Sequence, residues 1–159
     1  VESFEVVLRG RPAPQGSKRA IPAFKGKGPG REWVANRQVE MSPHVKNWRD
    51  DVKTAAEKII ADTGHVRYEC PVRVSMVFTV DRAAKPRKGL RLWPAKMPDL
   101  SKLCRSTEDA LSAAGVWKDD ALVVEYTRLA KVYPGADPEA LPVPGVRIIV
   151  IPVLEEENA

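Results

Sequence analysis

The apolar positions change period along the chain, and each change predicts an element. Phe4, Val6 and Leu8 alternate with Glu5, Val7 and Arg9, the signature of a half-buried strand. Val45, Trp48, Val52, Ala55, Ala56 and Ile59 recur at helical spacing. Ser42 followed by Pro43 is a helix start, a cap and then a proline at the first helical position, and Gly64 is the stop. Val72, Val74, Met76, Phe78 and Val80 alternate again and predict a second strand. Leu100, Leu103, Cys104, Thr107, Leu111 and Ala114 mark a second amphipathic helix ended by Gly115. A turn at Trp117 to Asp120 follows, then strands over Leu122 to Val132 and Val146 to Val153 with a Pro/Gly loop between them.

The expected architecture is α+β: a mixed four-stranded sheet with two helices packed on it, in the order β-loop-α-β-loop-α-β-β. No internal repeat or domain boundary interrupts residues 1–159, so a single domain is expected. Two stretches carry no period. Gly10 to Met41 is rich in Gly, Pro and basic residues and reads as one long basic loop, a length that is commonly functional. Asp81 to Pro98 reads as a second. The tail 155–159, with three consecutive glutamates, is expected to fray.

Composition narrows the class. With 43% hydrophobic residues the chain is globular, and no stretch approaches the roughly 20 apolar residues of a membrane span. The alternating start is not a signal peptide, and because the chain opens on Val1 an initiator Met is expected to have been removed, replaced or trimmed. Two scattered cysteines, Cys70 and Cys104, form no CxxC pair and suggest a reducing cytosol. His44 and His65 are too few for a His-rich zinc site.

The net charge of +5 is modest, but its distribution is uneven. Arg9, Arg11, Lys18, Arg19, Lys25, Lys27, Arg31 and Arg37 are accompanied by one acid, Glu32. Arg82, Lys85, Arg87, Lys88, Arg91, Lys96, Lys102 and Arg105 are accompanied by Asp81 and Asp99. Such segments suit a phosphate backbone, although solvated loops have the same composition. Trp33 and Trp93 lie within them, suited either to stacking on an unpaired base or to anchoring the loop.

The candidate chemistry lies between Met97 and Val124. Asp99 precedes the second helix, and Asp119 and Asp120 follow it. A helix of about 15 residues is about 22 Å long, so a returning turn and strand are expected to bring the second acidic site beside the first. Two converging carboxylates suit Mg²⁺. The same residues are also ordinary caps and turn formers: Asp before a helix is an N-cap, and Asp-Asp belongs in turns. No Asp-x-Lys or Glu-x-Lys follows Pro98-Asp99, no Walker A loop is present, and two distant histidines argue against an HNH site.

Three pieces of text fall in register: Asp99-Leu100-Ser101-Lys102-Leu103-Cys104-Arg105, then Asp109-Ala110-Leu111, then Gly115-Val116-Trp117-Lys118-Asp119-Asp120-Ala121-Leu122-Val123-Val124. Together they resemble the core of the RusA-type Holliday junction resolvases of phages and prophages. Arg11-Pro12-Ala13-Pro14-Gln15-Gly16-Ser17-Lys18-Arg19 also resembles the loop after the first strand in that family. The resemblance implies an endodeoxyribonuclease that acts on four-way DNA junctions as a homodimer, with Mg²⁺, or Mn²⁺ in its place, and no small-molecule cofactor. It implies a cytoplasmic protein, in a bacterial host if phage-encoded.

Carried over by position, the resemblance makes Asp99 and Asp120 the catalytic and metal-holding carboxylates, and Arg105 the basic residue on the helix. Lys102, one turn earlier, is a second candidate to neutralise the scissile phosphate. Ser101 stands where the family has another Asp. Its neutral hydroxyl is a poor metal ligand, and three explanations stand open: a natural substitution with water or Asp119 completing the coordination, an engineered one that traps an inactive complex, or a homologue that binds junctions and cuts them poorly. The bland role for Ser101 is an alternative helix cap. Lys18, Arg19, Lys25, Lys27, Arg31, Arg82, Lys85, Arg87, Lys88 and Arg91 are the expected DNA-binding residues. Trp117 is expected to pack on the helix.

Overall fold

The computed structural model describes residues 2–15, 18–26, 28–40, 44–83 and 92–154, without the side chains of 18–21 and 36–40. Its elements are β1 (Phe4–Arg9), β2 (Lys18–Lys25), β3 (Glu32–Glu40), α1 (Val45–Thr63), β4 (Val72–Thr79), α2 (Leu100–Ala114), β5 (Val123–Val132) and β6 (Gly145–Pro152), with a 3-10 turn at Asp120–Leu122. The main sheet has the order β1-β6-β4-β5. β6 pairs antiparallel with both β1 and β4, whereas β4 and β5 run parallel. Parallel neighbours need a crossover, and α2 provides it. The expected α+β fold, with a mixed four-stranded sheet and two helices, is what forms.

The alternation in β4 explains the layering. Val72, Val74, Met76 and Phe78 join Phe4, Val6, Val146, Ile148 and Val150 on the buried face. There they meet Trp48, Val52 and Ala56 of α1, and Leu103, Cys104, Ala110 and Leu111 of α2. The opposite face carries cross-strand ion pairs, Arg73–Glu125 at 2.6 Å and Arg147–Glu5 at 2.9 Å, as expected of a sheet with one wet face. Its far end is covered by the β5–β6 connection, where the Leu141 amide donates to Thr79 Oγ1 at 2.9 Å.

The helices are tied by one buried polar contact, Trp48 Nε1 donating to Thr107 Oγ1 at 3.1 Å. Gly64 and Gly115 end them at φ 68° and 85°, the left-handed cap that their sequence positions predict. Helix α1 begins at Val45 with His44 at its cap, so Ser42 and Pro43 lie outside the described residues, as does the tail 155–159. Leu122, expected to open a strand, belongs to the 3-10 turn.

The expected loop from Gly10 to Met41 requires correction. It contains an antiparallel hairpin, β2 with β3, forming a separate two-stranded sheet. Period-2 alternation arises when one strand face is buried. This hairpin packs chiefly on itself, so its sequence carries no such signal. Its turn uses Gly26 and Gly28, both at positive φ.

Candidate active site

The β4–α2–β5 crossover sets the geometry of the acidic residues. Asp99 occupies the cap position of α2 in extended conformation, and its carbonyl accepts from the amides of Lys102 and Leu103 at 3.1 and 3.0 Å. Its carboxylate makes no capping hydrogen bond. It is exposed and lies 3.5 Å from Lys102 Nζ. The capping explanation for an Asp here therefore accounts for its backbone and not for its side chain. Ser101 sits inside the first turn, exposed, and does not take the cap position. Arg105 is exposed one turn further along.

Lysines collect around this corner. Lys131, near the end of β5, donates to Pro98 O at 2.8 Å and Lys96 O at 2.6 Å. Lys96 donates to Asp81 O at 2.8 Å. The approach to Asp99 is thus pinned to the sheet by one cation bonded to two carbonyls. The segment after β1 arrives at the same place: the Gln15 amide donates to Lys102 O at 3.0 Å, and Ser106 Oγ lies 2.8 Å from Ala13 O. Arg11, Pro14, His44, Asn47 and Pro98 line a cleft of about 450 Å³ there.

Asp120 stands at the other end. Asp119 caps the 3-10 turn, accepting from the Ala121 amide at 2.7 Å, while Asp120 is exposed. Its acidic neighbour is Glu108 of α2, which accepts a hydrogen bond from the Tyr126 hydroxyl of β5. Burial raises the Glu108 carboxyl above its ordinary value. Hydrogen bonds from Tyr126 and Cys104 draw it back, and the Asp120 and Asp109 charges push it further up. Asp109 itself faces Arg49 of α1 across 3.3 Å. Trp117 is fully buried, its Nε1 donating to Ser112 Oγ at 2.7 Å, as expected.

Two contacts fix the direction of α2 against β5: Pro98 with Lys131, and Glu108 with Tyr126. The helix runs antiparallel to the strand. From Asp99 to Glu108 it rises about 14 Å, so Asp99 and Asp120 sit at opposite ends of the crossover. The expectation that the turn returns Asp120 beside Asp99 within one chain does not hold. Among the described residues, no group of three or more His, Cys, Asp or Glu side chains is placed to hold a metal ion.

Of the expected DNA-binding residues, Lys25 and Arg31 are exposed at the end of the hairpin. The Arg82 guanidinium lies 4.3 Å from the centre of the Tyr133 ring. Lys18 and Arg19 belong to β2, with side chains not described, and Lys27, Lys85, Arg87, Lys88 and Arg91 lie outside the described residues. Sequence reasoning missed Lys131, Glu108 and Tyr126. The charge of Lys131 in a largely apolar strand end was the available signal for the first, and nothing local marked the other two.

The family model for endodeoxyribonuclease RusA matches residues 20–140, which include most of the hairpin, both helices and both acidic ends. The chain belongs to the RusA endodeoxyribonuclease family. It is thereby a DNA-cleaving enzyme of a family that acts on branched DNA junctions and resolves Holliday junctions. No curated protein matches the chain. Among the described residues, no helix is long and apolar enough to cross a membrane.

Proposed function

We propose that the chain is a homodimeric, divalent-metal-dependent resolvase that hydrolyses paired, symmetry-related phosphodiesters of a four-way junction in the cytoplasm. The observation that carries this is the placement of two exposed carboxylates, Asp99 and Asp120, at opposite ends of one crossover. A single chain holds them too far apart to share an ion. A two-fold-related copy removes the difficulty, because Asp99 of one chain then faces Asp120 of the other, and two identical sites arise for two opposed strands. β5 is an edge strand. Two β5 edges paired antiparallel set the start of one beside the end of the other, the relation these carboxylates require.

Asp99 and Asp120 are hard oxygen donors of the kind Mg²⁺ or Mn²⁺ takes, with Ser101 adding only a hydroxyl. The ion, when bound, supplies an activated water and neutralises charge on the phosphodiester. The chain's own part is to hold the phosphate. Lys102 and Arg105 lie on the Asp99 side for that purpose, and Lys131 keeps the backbone before Asp99 in place. The neutral Ser101 favours a second reading, an enzyme that binds junctions and cuts them weakly.

A labelled four-way junction with Mg²⁺, offered to the parent chain, Asp120→Asn and Ser101→Asp, tests both. Paired nicks by the parent, lost in Asp120→Asn with junction binding retained, support the resolvase. Cutting by Ser101→Asp alone selects the weakened enzyme. Parental-rate cutting by Asp120→Asn defeats the site assignment.

A further inference from the structure

The hairpin is rooted beside Asp99. Its first strand follows Gln15, which is bonded to Lys102, and its second leads to His44, which lines the same cleft as Pro98. Strands of eight and nine residues make it about 25 Å long.

The far end carries an unusual group of side chains. Phe24 pairs directly with Trp33 across the hairpin, next to the turn, so both occupy one face. The register shifts at this point, with Val34 as the extra residue. Trp33 is 58% exposed, Val34 58% and Phe24 44%. The Arg31 guanidinium sits 4.5 Å from the centre of the Phe24 ring, and Lys25 and Glu32 complete the pair nearest the turn. Large aromatic surface is held out on a projecting ribbon, bordered by cations.

We infer that this tip is a stacking wedge for an unpaired base at the branch point of the DNA, with Trp33 as the contacting ring. The inference rests on the resolvase reading above. Bases inside a duplex have both faces covered by their neighbours, and a branch point is where a face is exposed. Aromatic side chains bordered by basic residues are the chemistry that takes such a face without regard to sequence. Phosphates beside it are met by Lys25 and Arg31. The wedge thus reads branching, while the site that includes Asp99 at the root makes the cut.

The experiment uses the full chain in Ca²⁺ with four-way junctions carrying 5-iodouracil at the branch point or at stepped positions along one arm. Near-ultraviolet irradiation is expected to crosslink Trp33 to the branch-point base. In parallel, the ratio of junction to linear-duplex affinity is measured for the parent, Trp33→Ala and Trp33→Phe. Loss of one base–aromatic stack predicts a fall in that ratio of roughly 5- to 150-fold for Trp33→Ala, with most of it retained by Trp33→Phe. If the pair only braces the hairpin, Trp33→Ala weakens junction and duplex together, the ratio stays, and the inference falls. Crosslinks confined to arm positions overturn it as well. A parent with no preference for junctions defeats the resolvase reading itself, a result separable from the others.

Discussion

Mixing two dead variants tests the shared site more sharply than either variant alone. Asp99→Asn and Asp120→Asn each remove one carboxylate. Each homodimer is expected to lose at least about 100-fold in cleavage, the scale of removing a group that acts on transition-state charge. Mg²⁺ lies 2.0–2.1 Å from its ligand oxygens, so two carboxylates on one ion have oxygens no more than about 4 Å apart. The rise of about 14 Å along α2 between Asp99 and the level of Glu108 exceeds anything Asp rotamers span. On the proposed reading, the two residues therefore act together only from different chains. After subunit exchange at equal concentrations, half the dimers are mixed. Each mixed dimer has one site with both carboxylates and one with neither. The mixture is thus expected to recover about a quarter of the parental nicking sites, and its product is single nicks rather than paired resolution. A gel resolving nicked from resolved junctions reads both quantities. A mixture no more active than its two components means that each site is built within one chain, and the antiparallel placement of α2 on β5 would then be wrong.

Three further outcomes follow from the scaffold. In Gly145→Ala the new Cβ would lie 2.1 Å from Leu8 O in the β1–β6 pair, so thermal or urea unfolding is expected to show a loss of about 3–5 kcal/mol. The Cys104 thiol is pushed up to about 11, first by burial, against a hydrogen bond from Tyr126; at pH 8 about one molecule in a thousand carries the thiolate, and iodoacetamide should label Cys104 only after unfolding. The Asp137 carboxyl is held down at about 2, first by its paired hydrogen bonds from Arg128 at 2.6 and 2.9 Å and then by the Glu139 amide. A depressed carboxyl contributes stability above the ordinary Asp range that is lost as pH falls through its folded value, so Asp137→Asn should flatten the acid limb of the unfolding curve between about pH 4 and pH 2.

The elements that bury one face were legible. β4 and α2 announced themselves because Val72 to Phe78 and Leu103 to Leu111 must face a core, and Gly64 and Gly115 ended the helices where a left-handed cap was needed. The hairpin was not legible for the converse reason: its strands pair chiefly with each other, so no core imposes alternation, and its Gly, Pro and basic residues resemble those of a loop. Asp99 and Asp120 stood out as candidate carboxylates, but their spatial relation within one chain was misjudged. Spacing gives contour length and says nothing of direction. Direction comes from the parallel pairing of β4 with β5, which obliges α2 to run back along the strands and leaves its two ends at opposite ends of β5.

That pairing also gives the proposed dimer a chemical reason. In a hairpin-connected pair of strands, the acids flanking α2 would have no crossover to separate them and one chain would suffice. In the parallel arrangement, an isolated chain offers Asp99 with a neutral Ser101 at one end, and Asp120 beside the half-buried Glu108 at the other. Among the described residues, neither end gathers three or more His, Cys, Asp or Glu side chains placed to hold an ion. Coupling cleavage to association would keep a lone chain, whose basic surface attracts any duplex, from cutting it. Two symmetric sites then become competent together, where a two-fold substrate presents two strands. If dilution below the dimer dissociation constant left cleavage per chain unchanged, this coupling would be absent. The expected result is cleavage that falls with the square of chain concentration while residual DNA binding falls more slowly.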